Sequence, residues 1–218
     1  MKTLITLSND KASNIPKEFQ DDDVRYPESL VKYFLKIFTK KGDKIFDPFS
    51  GFGTSLIVAE KMKRVPFGIE IDKKRYEFIK SKISYKNNII CGDSFKLNKN
   101  KFPKFDLSIT SPPYIDFDED NFLSGKGGYK EYIKDIGKIY SQIKQFMKKN
   151  SYIVIEVANL KGKKVTTLAW DIGKEVSKIF HFEGEVIINW KTKGNCKGDG
   201  NYGYGYDHSY CLIYKNKI

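Results

Sequence analysis

Seven short apolar runs of strand length are spaced along the chain, most of them separated by segments of helical periodicity, and this alternation leaves few folds open. The runs are KIFDPF, VPFGIEI, NIICGD, FDLSIT, SYIVIEVA, EVIINW and YCLIY. Ahead of the first, Leu30, Val31, Phe34, Leu35 and Phe38 recur at three- and four-residue spacing, which predicts a helix from Pro27 that ends near Gly42. SLIVAEKMK, RYEFIKSKI and residues 165–180 also read as helices. So do residues 129–149, with apolar positions at Tyr132, Ile133, Ile136, Ile139, Tyr140, Ile143 and Phe146. Strands joined through helices lie parallel, so the pattern predicts an α/β chain: a doubly wound, seven-stranded, mostly parallel sheet with helices on both faces. No helix separates EVIINW from YCLIY, which makes these two an antiparallel hairpin at the sheet edge.

Within 218 residues such a sheet leaves room for one domain, expected over residues 25–218, with the polar residues 1–24 as a loosely held N-terminal arm. Hydrophobic residues make up 40% and charged residues 30%, the balance of a globular chain rather than a disordered one. No apolar run approaches the roughly 20 residues needed to span a bilayer. The first residues lack the apolar core and cleavage site of a secretory signal, so a cytoplasmic location without membrane partners is expected. The net charge of +12 favours a polyanionic partner, although a solvated lysine surface accounts for it equally well. Only Arg25, Arg64 and Arg75 are arginines, so the chain is better supplied for gripping phosphates than for reading guanine edges. Cys91, Cys196 and Cys211 lack CxxC spacing, which argues for reduced thiols rather than disulfides or zinc.

In a doubly wound sheet, ligands bind beyond the carboxyl ends of the strands, where strand order reverses. The first run ends in Asp47-Pro48-Phe49-Ser50-Gly51-Phe52-Gly53-Thr54, whose glycines permit a tight turn that a ligand can approach closely. The turn has neither the GxGxxG pattern nor a P-loop lysine, so it supports neither NAD nor ATP. Two glycines alone are weak evidence, since an ordinary strand-to-helix turn also has them; the later strand ends add to them. The second strand ends in Gly68-Ile69-Glu70-Ile71-Asp72, where Glu70 can accept from both hydroxyls of a ribose and Asp72 caps the next helix. The third ends in Cys91-Gly92-Asp93-Ser94, which places a carboxylate where an adenine amino group can donate.

In this order DPFSGFGT, GIEID and GDSF, preceded by Tyr26-Pro27-Glu28-Ser29-Leu30-Val31, resemble the cofactor-binding half of the amino-methylating DNA methyltransferases. The resemblance covers residues 25–115 best and implies a Rossmann-like, class I fold with S-adenosyl-L-methionine as cofactor. It also implies that Phe49 and the rest of the turn (Asp47, Pro48, Ser50, Gly51, Gly53 and Thr54) line the methionine moiety. Tyr26, Pro27 and Leu30 would cover the methionine end, Glu70 would hold the ribose, and Asp93 with Ser94 would address the adenine.

Thr110-Ser111-Pro112-Pro113-Tyr114, after the fourth strand, is the most specific motif in the chain. The nitrogen of a base amino group is a poor nucleophile because its lone pair is conjugated into the ring. Two acceptors for its protons favour a more tetrahedral nitrogen with a freer lone pair, and the Ser111 side chain and the Pro112 carbonyl can be those acceptors. Consecutive prolines, Pro112 and Pro113, hold that carbonyl in a rigid extended conformation. Tyr114 offers a face to a base lifted from its stack. A Pro-Pro turn beside a packed tyrosine is the plain alternative. In the family that the chain resembles, S-P-P-Y is associated mainly with cytosine N4. No cysteine follows a proline, so the covalent route to cytosine C5 is closed, and direct transfer without a metal is expected.

Lys191, Lys193 and Lys197 with Tyr202, Tyr204 and Tyr206 suit phosphate contact with base stacking, or equally an ordinary hairpin loop. Residues 114–128 read as a flap, and Trp170 and Trp190 are expected to pack, with the border of the base pocket as an alternative place for Trp190. Only residues 96–109 separate GDSF from TSPPY, and the 104 residues after Tyr114 are taken up by the remaining strands and helices. This compact form has no obvious target-recognition domain. DNA is expected over RNA as substrate, with an N4-cytidine methyltransferase of structured rRNA as the alternative. On DNA, the chain would read a short site through its own loops or act as a catalytic subunit with a partner, either a second copy in a homodimer or a specificity partner. A non-catalytic nucleic-acid-binding subunit of the same fold is the reading from another class.

Overall fold

The computed structural model describes residues 2–9, 14–19, 25–97, 102–113, 128–161, 164–191 and 207–217. Its strands are β1 (Leu4–Ser8), β2 (Lys44–Asp47), β3 (Val65–Glu70), β4 (Ile89–Cys91), β5 (Phe105–Thr110), β6 (Met147–Val157), β7 (Leu160–Lys161), β8 (Val165–Thr166), β9 (His181–Lys191) and β10 (His208–Lys215). Its helices are α1 (Glu28–Phe38), α2 (Thr54–Lys61), α3 (Lys73–Lys82), α4 (Gly128–Lys144) and α5 (Leu168–Val176). Eight strands form one sheet in the order β1-β9-β10-β6-β5-β2-β3-β4, and β7 and β8 pair separately. Parallel pairing joins β4 to β3, β3 to β2, β2 to β5 and β5 to β6. β10 runs antiparallel to both β6 and β9.

The sheet has eight strands rather than the expected seven, and the extra one comes from residues read as a loose arm. β1 lies parallel to β9 at the rim, with Leu4 opposite Ile187 and Ser8 opposite Lys191. Leu4 is 63% exposed, so little apolar burial marks this segment as a strand. The open edge of β9 gives its backbone groups partners, and the β9–β10 hairpin therefore sits one strand in from the rim. Two boundaries also differ from expectation. α4 stops at Lys144 because Met147 already pairs with Phe105 as part of β6. The segment from Val165 starts as β8, and its helix is confined to Leu168–Val176.

Each central strand alternates between two cores, as the two-residue period of a strand requires. Ile45, Leu107, Ile109, Val154, Val186 and Ile188 face α1 and part of α2, packing against Leu30, Val31, Phe34 and Ala59. Phe46, Phe105, Ile153, Ile155, Leu212 and Tyr214 face α4 and α5, against Tyr132, Ile136, Ile139, Ala169 and Ile172. The chain builds β2, β3 and β4 outward in one direction and then crosses back to place β5 on the other side of β2. Strand order therefore reverses between β2 and β5, which opens a crevice at their carboxyl ends. Among the described residues, no helix is long and apolar enough to cross a membrane.

Candidate active site

Asp47, the last residue of β2, lies beneath the glycine turn with 1% of its surface exposed. Its carboxylate accepts from the Ser55 hydroxyl, from Thr110 Oγ1 at 2.6 Å, from the Phe49 amide at 3.0 Å and from the Tyr26 hydroxyl at 3.4 Å. Burial nonetheless outweighs these donors and raises its pKa above the ordinary carboxylate value. One side chain thus ties together the turn, the start of α2, the end of β5 and the segment before α1. The turn closes with the Ser50 hydroxyl on the Asp47 carbonyl at 3.0 Å and the Gly53 amide on the Ser50 carbonyl at 2.7 Å. Gly53 takes a φ of 75° as it enters α2, a conformation that costs glycine little.

A cleft of about 220 Å³ opens over this turn. It is lined by Tyr26, Pro48, Phe49, Ser50, Gly51 and Thr54 from the first motif region, Glu70 from β3, Asp93 and Ser94 after β4, and Ser111, Pro112 and Pro113 after β5. Of the other residues expected near the cofactor, Leu30 is fully buried in the core, Pro27 caps α1, Asp47 lies below the turn, and Gly53 packs toward Ile79. Tyr114, Lys193, Lys197, Tyr202 and Tyr204 lie outside the described residues. Lys191 is the exposed last residue of β9 and is not part of the cleft. Trp190 is buried, donating to Ser209 at 3.1 Å rather than bordering the cleft, whereas Trp170 is 61% exposed instead of packed.

Glu70 is 6% exposed, and burial raises its pKa. One carboxylate oxygen accepts from the Gly51 amide at 2.6 Å and the other from the Asp72 amide at 2.9 Å, so β3 braces the glycine turn. An ionised carboxylate has about four acceptor positions, which leaves room for two ribose hydroxyls. Asp72 caps α3 by accepting from the Arg75 amide at 2.8 Å, as expected. Asp93 accepts from the Phe95 amide at 2.9 Å, and the Ser94 hydroxyl donates to the Pro48 carbonyl, joining the loop after β4 to the glycine turn.

Arg25, Phe52, Ile69, Ile71, Arg75, Gly92, Phe95 and Ile139 complete the lining. Most of them adjoin the motifs, and their position alone could have nominated them. Ile139 reaches the cleft from α4, far along the chain, and no local signal marks it. The Arg25 and Arg75 guanidinium groups stand 5.8 and 5.0 Å from the centre of the Phe52 ring. The residues present fit S-adenosyl-L-methionine. A Cβ on Gly51 would meet nothing within 4 Å, so the glycine leaves open space at the cleft wall. Around it a largely apolar lining carries a few polar groups, the composition of a small-molecule site.

A mostly parallel sheet with one antiparallel strand set in it, and a glycine turn at its switch point, defines the class I S-adenosylmethionine-dependent methyltransferase fold. TrmN from Thermus thermophilus shares it with a TM-score of 0.59 at 13% identity, over 95% of this chain and 55% of that one. The magnesium protoporphyrin IX methyltransferase ChlM from Synechocystis, solved with bound S-adenosylmethionine, shares it with a TM-score of 0.55 at 14% identity, over 94% of this chain and 86% of that one. In sequence, residues 6–81 match the N6/N4 DNA methylase family. Type II methyltransferase M.MjaI from Methanocaldococcus jannaschii is 37% identical over 65 residues, 30% of this chain and 22% of that one. Over its cofactor-binding half, the chain is similar to the amino-group DNA methyltransferases. The matched stretch spans about a fifth of the length of these curated relatives, and the family match ends ahead of Asp93 and Ser111.

Proposed function

We propose that the protein methylates an exocyclic amino group of a nucleic-acid base, with cytosine N4 in DNA as the favoured target. The observation that carries this reading is the meeting of Ser111-Pro112-Pro113 with the glycine turn in one cleft, across the switch point between β2 and β5. When bound, S-adenosyl-L-methionine supplies an electrophilic sulfonium methyl. Tyr26, Phe49, Ser50 and Thr54 would hold its methionine portion, Glu70 its ribose, and Asp93 with Ser94 its adenine. Ser111 Oγ and the Pro112 carbonyl would accept from the target amino group, freeing the nitrogen lone pair for attack. Transfer would join the target nitrogen to that methyl as the methyl leaves sulfur, with one amino proton passing to solvent. Pro48, Phe49, Pro112 and Ile139 give the cleft apolar walls that limit water beside the reacting groups. Holding the target amino group close to the cofactor's methyl would account for much of the remaining rate.

The test is methyl transfer from labelled cofactor to DNA and to ribosomal RNA side by side, followed by nucleoside digestion and mass spectrometry. N4-methyldeoxycytidine is the expected product. N6-methyldeoxyadenosine would keep the chemistry and change the base, and N4-methylcytidine from RNA alone would move the enzyme to RNA. Calorimetry with S-adenosylmethionine separates all of these from a non-catalytic subunit, which would bind no cofactor.

A further inference from the structure

Tyr132, in the second turn of α4, is 2% exposed, and its hydroxyl donates to the carbonyl oxygen of Pro113 at 2.9 Å. Its ring packs in the core with Ile136 and Ile139, and Ile139 itself lines the cleft. A phenol keeps its proton at neutral pH, and burial pushes its pKa further up, so the hydroxyl remains a donor.

Two chemical facts give this bond consequence. Pro112 and Pro113 have no N–H groups, so the motif cannot be fastened through its own proline amides. It is held instead at its two ends. Thr110 Oγ1 donates to Asp47 ahead of it, and Tyr132 donates to the Pro113 carbonyl behind it. The second fact is the planarity of the peptide unit: a donor on the Pro113 carbonyl oxygen fixes the orientation of the whole peptide plane at the second proline. The same bond joins Pro113, at the end of the motif, directly to α4. One turn earlier on the helix, Tyr129 donates to Asp171 of α5 at 2.6 Å, so the end of α4 that carries Tyr132 is itself anchored.

We propose that Tyr132 is a positioning residue for methyl transfer: through the Pro113 carbonyl, its hydroxyl holds Ser111 and Pro112 in the arrangement that receives the target amino group. This rests on the amino-methyltransferase reading above. Tyr132 acts through the motif and contacts neither cofactor nor base, so its loss reaches turnover and spares cofactor affinity.

The experiment compares the wild type, Tyr132→Phe and Ile136→Val for kcat and KM on the methylated nucleic acid, and for S-adenosylmethionine affinity by calorimetry. Phenylalanine buries the same ring, so this variant folds and lacks only the hydroxyl. Turnover in Tyr132→Phe is expected to fall about tenfold, the scale of a slightly misplaced reacting group, with KM and cofactor affinity within about twofold of wild type. Ile136→Val, which loosens the same face of α4 and leaves the hydroxyl, is expected to keep wild-type turnover. Wild-type kcat in Tyr132→Phe would overturn the proposal, as would an equal fall in kcat for Ile136→Val or a loss of cofactor affinity as large as the loss of kcat. A wild type that binds cofactor and methylates neither DNA nor RNA would instead overturn the function on which the proposal rests.

Discussion

Thr110 Oγ1 donates to Asp47 Oδ1 at 2.6 Å, and this contact joins the ends of two neighbouring strands that carry different motifs. Asp47 anchors the glycine turn, and Thr110 immediately precedes Ser111. Thr110→Val keeps the shape and removes one donor from a buried carboxylate, at an expected cost of about 1–3 kcal/mol. In a chain of this size that lowers Tm by roughly 3–10 °C. Burial already holds the Asp47 pKa above its ordinary value, and loss of a donor raises it further. A carboxyl whose folded pKa is raised contributes stability below its unfolded pKa and loses it as pH rises through the folded one. The deficit of Thr110→Val is therefore largest at neutral pH and shrinks in mild acid. Melting curves at both pH values check this, and an unchanged Tm at neutral pH would count against the anchor.

Gly68, on β3, is a second support for the turn. A Cβ there would stand 2.4 Å from Ser50 Oγ and 2.7 Å from Leu56 Cδ1. Gly68→Ala must displace Ser50, whose hydroxyl holds the Asp47 carbonyl. Overpacking of this kind costs about 1–3 kcal/mol. Calorimetry is expected to show cofactor affinity weakened by about tenfold or more, corresponding to 1.4 kcal/mol per decade. Wild-type affinity would mean that the turn does not rely on this close approach.

Much of this arrangement was legible from residue order alone. The alternation of apolar runs and helical segments announced the parallel sheet, and the motifs that end its strands named Asp47, Glu70, Asp93 and Ser111, whereas the strand order that brings them together comes only with the fold. β1 was not legible because Leu4–Ser8 is a strand only by virtue of the β9 edge, a pairing that spans most of the chain and leaves Leu4 exposed. Trp190 and Trp170 show the same limit. Both are large apolar residues on periodic segments, yet packing buries one and leaves the other 61% exposed. Gly68 read as one more residue of an apolar strand, because its closeness to Ser50 exists only after β2 and β3 have paired. Tyr132 likewise read as a core position of an amphipathic helix, and only the folded chain shows its hydroxyl on Pro113.

Glu70 sets an expected pH dependence for cofactor binding. Ribose hydroxyls donate to its ionised form, and burial places its pKa above the ordinary carboxylate value. Protonation therefore competes with cofactor: affinity is full above the raised pKa and falls as pH drops through it, earlier than an exposed glutamate would allow. Glu70→Gln is expected to bind about tenfold more weakly at neutral pH and to flatten the acid limb. Calorimetry across the mildly acidic range reads both, and a variant that keeps the wild-type limb would show that another group titrates.

Ser111→Ala separates chemistry from cofactor binding. If its hydroxyl oxygen is one of the two acceptors for the amino protons, turnover should fall by at least about tenfold while S-adenosylmethionine affinity stays near wild type. Single-turnover transfer on the methylated nucleic acid measures the first and calorimetry the second. Wild-type turnover in this variant would move the acceptor role elsewhere in the cleft.

Salt dependence separates a grip on nucleic acid by the lysines between β9 and β10, expected from the sequence, from an ordinary hairpin loop. Each lysine that neutralises a phosphate releases condensed counterion, so it contributes affinity and also one increment to the salt dependence of binding. Lys193→Ala and Lys197→Ala are therefore expected to weaken binding to all sequences alike and to reduce the slope of log K against log salt by about one each, with cofactor affinity unchanged. Fluorescence anisotropy on duplexes of unrelated sequence, across a salt series, measures both. A uniform loss with the reduced slope places this segment on the phosphate backbone. Weaker binding confined to one sequence would assign it to base reading instead, and an unchanged slope would leave the chain's +12 charge to act from other surfaces.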